Sequence, residues 1–92
     1  MAKNFRICTK ENSNQSLALQ LFGDFDGSAA CELINVLDQS VINTSKVAID
    51  TDGLRTIDAF GLNVFLPRMS WLNHTCADIE VTGRFSGVFR EA

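Results

Sequence analysis

The chain has one proline, one histidine, one tryptophan and no tyrosine. With a single histidine, His74, a metal site has no second imidazole to draw on and an acid–base pair has no histidine partner; His74 is expected to face a helix dipole instead. No run of 18 apolar residues occurs, so no segment is read as a membrane span. The first ten residues, MAKNFRICTK, are basic but lack the apolar stretch of a signal peptide. Cys8, Cys31 and Cys76 are odd in number, far apart and without a C-x-x-C pair, so free, largely buried thiols in a reducing cytoplasm are expected. Cys76, in a loop, is the candidate for the reactive one. The net charge of −3 and a pI near 4.9 weigh against nucleic acid or anionic lipid as partner.

What is present is an ordinary globular composition: 46% hydrophobic, 21% charged, with seven phenylalanines. Residues 1–92 read as one domain, without repeats or linkers. FRICTK (Phe5–Lys10) and SLALQLF (Ser16–Phe22) alternate apolar and polar residues and predict an antiparallel hairpin. GDFDGS (Gly23–Ser28) breaks the pattern, and Asp26 or Ser28 is placed to cap the next element. Ala30, Leu33, Ile34, Leu37 and Val41 recur at helical spacing. KVAID (Lys46–Asp50) predicts a short buried strand, TDGLRTI a loop, and DIEVT (Asp78–Thr82) a fourth strand. Phe85, Val88 and Phe89 fit a short terminal helix. The order β-β-α-β-α-β-α, with right-handed crossovers, implies a mixed four-stranded α/β sheet with helices mainly on one face.

The helix beginning near Asp58 and running to about Asn73 is apolar on two sides. Leu62, Phe65, Leu66, Met69 and Leu72 form a core face, while Phe60, Val64, Pro67 and Trp71 lie within about 40° of one line opposite. Surplus apolar surface of this kind marks either internal packing or a partner. The terminal helix, through Phe85 and Phe89, is one expected cover; Trp71 could also be a core edge. Pro67 removes a hydrogen bond to the carbonyl of Asn63, so a kink or break is expected there. Asp58 is placed as an N-cap, and Gly61 permits close backbone approach.

Five carboxylates, Asp24, Asp26, Asp50, Asp52 and Asp58, fall near strand ends, where a Mg²⁺-dependent phosphotransfer site could form. No P-loop, G-x-S-x-G or histidine accompanies them, and turn and capping roles explain Asp26, Asp52 and Asp58. A non-catalytic chain without cofactor is the expectation.

Three segments then fall in a familiar order: LFGDFD closing the second strand, VAIDTDGLRTIDAFGLNVF across the third strand and second helix, and IEVTG at the fourth strand. From Leu17 to Gly83 the chain resembles a STAS domain, whose signature is an L-x-G-x-(L/F)-D strand end, a strand ending D-x-(S/D)-G-(V/L), and (I/M)-D-S-S-G-L at a helix start. Here these read LFGDFD, DTDGL and IDAFGL. The resemblance implies a cytoplasmic binding module of the anti-sigma factor antagonist type, acting through an anti-sigma factor kinase or related signalling protein. A second copy of the chain is another candidate partner, and some stand-alone STAS proteins instead serve membrane lipid-transport ATPases. In the family, the first Ser after the motif Asp is phosphorylated to break the complex, by charge repulsion and desolvation. Ala59 occupies that position here and Phe60 the next, so the usual switch is absent. Thr56 and Ser28 are the alternative phosphosites nearby. Asp58, Ala59, Phe60, Gly61, Asn63, Val64, Pro67 and Trp71 form the expected partner-binding set. With the sequence ending at Ala92, a short terminal helix is expected to leave more of this stripe uncovered.

Overall fold

Apolar alternation builds the sheet. In the computed structural model, which describes residues 4–12, 15–40, 44–75 and 78–89, strands β1 (Phe5–Asn12) and β2 (Ser16–Phe25) pair antiparallel. Strand β3 (Lys46–Ile57) runs parallel to β2, and β4 (Asp78–Thr82) parallel to β3, in the order β1-β2-β3-β4. Helix α1 (Gly27–Ser40) joins β2 to β3, α2 (Ala59–Thr75) joins β3 to β4, and α3 (Ser86–Phe89) follows β4.

Period-two alternation puts Leu17, Leu19 and Leu21 of β2 and Val47 and Ile49 of β3 into the core, while Gln20, Ala48 and Glu80 face outward and are exposed. The helices therefore pack on one face of the mixed sheet. Ala30, Leu33 and Leu37 of α1 and Phe65, Met69 and Leu72 of α2 close the core from the other side. Each such Leu or Phe contributes about 1.5–3 kcal/mol on burial. At one end the core is aromatic: Phe25 meets Phe5, Phe65 and Phe89 edge-to-face at centroid distances of 6.0, 5.8 and 5.1 Å, and Phe65 meets Phe89 at 5.7 Å.

Three strands run further than the sequence pattern predicts, β1 by two residues to Asn12 and β2 and β3 into the segments read as breaks. Both GDF and TDGLRTI lie inside strands, because β2 and β3 stay paired through two register irregularities, at Gln20/Phe22 and Gly23/Asp24. At each, β3 carries an additional residue relative to β2, a bulge that interrupts the alternation that marks a strand in sequence. Gly23, at φ 95°, supplies the backbone freedom β2 needs there. The break allowed for at Pro67 does not occur: α2 continues on both sides of it.

The thiols are a correction. Cys8 and Cys31 are free but exposed. Cys8 stands opposite Gln20 on the outer face of the sheet, and Cys31 is one position past the core-facing Ala30, which rotates it about 100° toward solvent. Cys76 lies outside the described residues, as does the side chain of His74.

Candidate functional site

The N-termini of α1 and α2 are built by short-range capping. The Asp26 carboxylate accepts the Ala29 N–H at 2.8 Å, and the Asp58 carboxylate accepts the Phe60 N–H at 3.1 Å. Both are N-caps, each of the kind whose loss costs about 1 kcal/mol. Ser28, the other candidate cap for α1, lies within the first turn instead. The two termini are locked side by side: the Asp58 N–H donates to the Phe25 carbonyl at 2.8 Å, and Gly61 packs against the Asp26 carbonyl. A methyl group on Gly61 would come within 2.7 Å of that oxygen, so only glycine fits.

This junction presents the expected binding residues together. Ala59, Phe60, Asn63, Pro67 and Trp71 are exposed, Val64 is half-buried and Gly61 is buried. Phe60 is 64% exposed and Trp71 52%. The expected cover by the terminal helix is not found, because Phe89 turns into the core against Phe25 and Phe65 rather than over the stripe. The Phe60 ring leans on Gly27, and Asp26, Gly27, Ser28, Cys31, Phe60 and Val64 line an open groove of about 460 Å³ between the helices. At the other end of the stripe, the Arg68 guanidinium sits 5.1 Å from the Trp71 ring centroid and also pairs with Asp38 of α1 at 3.1 Å. Gly27, Ser28 and Cys31 as groove residues, and Arg68 as the companion of Trp71, are not marked by the motif. Arg68, three residues before Trp71 on a helix, is the one a spacing argument could have found.

The hydroxyls differ in availability. Thr56 donates to Asp24 at 2.8 Å, whereas Ser28 lines the groove beside Phe60. Ala59, at the head of α2, carries none.

The remaining carboxylates hold the scaffold. Asp24 accepts Arg55 Nε at 3.1 Å, Arg55 Nη2 at 2.9 Å and the Thr56 hydroxyl at 2.8 Å, with Asn4 at 3.3 Å. Hydrogen bonds from Arg55 above all, then from Thr56, lower its pKa from 3.8 to about 2, and the same pair raises that of Arg55. Asp50 accepts the Asp52 N–H at 3.0 Å, and Asp52 accepts the Arg84 N–H at 2.7 Å. Between them the buried Thr51 hydroxyl donates to the Thr82 carbonyl at 2.8 Å and accepts the Phe85 N–H at 3.0 Å. The TDG segment thus clamps the turn from β4 into α3, where Gly83 adopts φ 97° against Thr51 and Asp52. Among the described residues no three of His, Cys, Asp and Glu form a group that could hold a metal ion.

The sheet order, the one-sided helices and the paired helix N-termini define a STAS-like α/β fold. Solved structures share it. The anti-sigma factor antagonist SpoIIAA in its unphosphorylated form matches with a TM-score of 0.65 and 15% identity, over 83% of this chain and 71% of that one. An anti-sigma factor antagonist from Mycobacterium paratuberculosis matches with a TM-score of 0.68 and 15% identity, over 87% of this chain and 68% of that one. Mglu matches with a TM-score of 0.68 and 18% identity over 77% of this chain, which spans only 18% of that much longer one. At these identities the likeness establishes the fold. No protein-family model matches the chain, and no curated protein matches it in sequence. Among the described residues no helix is long and apolar enough to cross a membrane.

Proposed function

We propose that the chain is a non-catalytic protein–protein interaction module of the anti-sigma factor antagonist type, operating without a phosphoserine at the head of α2. The observation that carries this reading is the exposed line of Phe60, Pro67 and Trp71 on α2, directly after Ala59. From Phe60 to Trp71 the line runs about 16 Å along the helix, and its two large aromatics are the residue types that dominate interface energetics. Ala59 has no oxygen to phosphorylate, so association is constitutive at that position. A phosphate could reach this surface from Ser28, on the groove wall beside Phe60; the Thr56 hydroxyl is engaged with Asp24. The partner is an anti-sigma factor kinase or a related signalling protein.

The test is the double variant Phe60→Asp with Trp71→Ala, compared with the wild type by affinity capture from the native cell and by size-exclusion chromatography. Loss of the captured chain, with a native circular dichroism spectrum, is the expected outcome. Undiminished capture by the folded variant overturns the stripe as the contact surface. A captured lipid-transport ATPase subunit in place of a signalling protein overturns the partner class, and self-association lost in the variant makes the stripe a dimer interface.

A further inference from the structure

The other face of the sheet carries a feature that the interaction surface does not use. Arg6 of β1, Phe22 of β2 and Gly53 of β3 are successive partners in register, so they form one row across the outer face. Phe22 is 37% exposed there, on the face that none of the described helices covers. Its ring lies on Gly53, where an added methyl would stand 2.3 Å from the ring and 2.6 Å from the Leu21 carbonyl. The ring thus takes the place that a side chain at 53 would fill, and beside it opens a cavity of about 470 Å³ lined also by Gly23 and Arg55. That volume falls within the range of small-ligand sites, about 300–1,000 Å³.

Two arginines, Arg6 and Arg55, line this cavity. Arg55 sits at the bulge of β3, and Asp24 grips it through Nε and Nη2, which fixes the plane and, among the described residues, leaves the Nη1 edge unclaimed. Arg6 is exposed and, among the described residues, pairs with no carboxylate. A fixed guanidinium edge, a second unpaired one and a supported aromatic ring suit a ligand that is a flat ring bearing an anionic group. We infer that the cavity bounded by Arg6, Phe22, Gly53 and Arg55 binds small aromatic anions, with the ring against Phe22 and a phosphate or carboxylate between Arg6 and Arg55.

The experiment is an amide-shift titration of the ¹⁵N-labelled full chain with three probes: adenosine monophosphate, benzoate and inorganic phosphate. Saturation by at least one aromatic probe with Kd below about 1 mM is expected, with shifts centred on residues 6, 22, 53 and 55. Inorganic phosphate should bind at least about tenfold more weakly, since it lacks the ring contact. Binding of the nucleotide alone assigns the site to nucleotides; binding of both assigns it to aryl anions in general. Arg6→Gln and Phe22→Leu should each weaken the aromatic probe about tenfold. Arg6, exposed and unpaired, is the variant that keeps the test valid if Phe22→Leu loses structure. Weaker binding by both aromatic probes, shifts centred elsewhere, phosphate binding as tightly as the rings, or an unchanged affinity in Arg6→Gln each overturns the inference.

Discussion

Asp24 shows how much one carboxylate can organise without being buried. It collects Arg55, Thr56 and Asn4, joining the end of β2 to the bulge of β3. Its pKa is about 2 in the folded chain against an ordinary 3.8. A depressed pKa contributes stability that is complete above the unfolded value and is lost as pH falls through the folded one. Asp24→Asn should therefore lower the urea midpoint at pH 6, and the gap to wild type should narrow as pH falls from about 4 toward 2. A gap that stays constant over that window would mean that the ion pair contributes nothing to folding. The caps at Asp26 and Asp58 are legible in the sequence, because a cap acts on its own next turn. The Asp24–Arg55 pair is not. It joins residues 31 positions apart, brought together by a bulge that no local pattern announces.

Among the elements, α2 has a core face and an exposed apolar line, and α3 has a single anchor. Phe89 is fully buried against Phe25 and Phe65, while Trp71 remains 52% exposed. Phe89→Ala should cost about 3–5 kcal/mol, the range for emptying an aromatic core position. Trp71→Ala should cost clearly less than Phe89→Ala, since its ring is 52% exposed and Phe89 is fully buried. Urea denaturation of the two variants gives both values, and a comparable loss for each would place Trp71 in the core. The periodicity of α2 shows both apolar sides in the sequence and marks the broader one as the core face, but it does not say whether the other is covered. The four-residue α3 settles the rest by inserting Phe89 beside Phe65 rather than lying over Phe60.

For the molecule as a whole, packing every helix on one face gives two separate surfaces. The α2 stripe lies on the helical side and the Arg6–Phe22–Arg55 cavity on the bare side of the sheet. Their functions should therefore be independent. Phe60→Asp with Trp71→Ala should leave the aromatic-anion affinity within about twofold of wild type while abolishing partner capture, and Arg6→Gln should weaken the anion about tenfold while leaving capture unchanged. Titration and capture on both variants check this, and a large crossed effect would show that the core couples the two faces.

The element order, the N-caps, the core face of each helix and the absence of a hydroxyl at Ala59 all follow from residue types and periodicities spanning a few positions. These are local properties, governed by backbone geometry and side-chain spacing. The strand extensions through GDF and TDGLRTI, the clamp of Thr51 and Asp52 on the β4–α3 turn, the exposure of Cys8 and Cys31, and the meeting of Arg6, Phe22 and Arg55 follow from pairing between distant segments. Register and bulges decide which side of a strand faces the core, and they are set by the sum of contacts across the sheet rather than by any one stretch of chain.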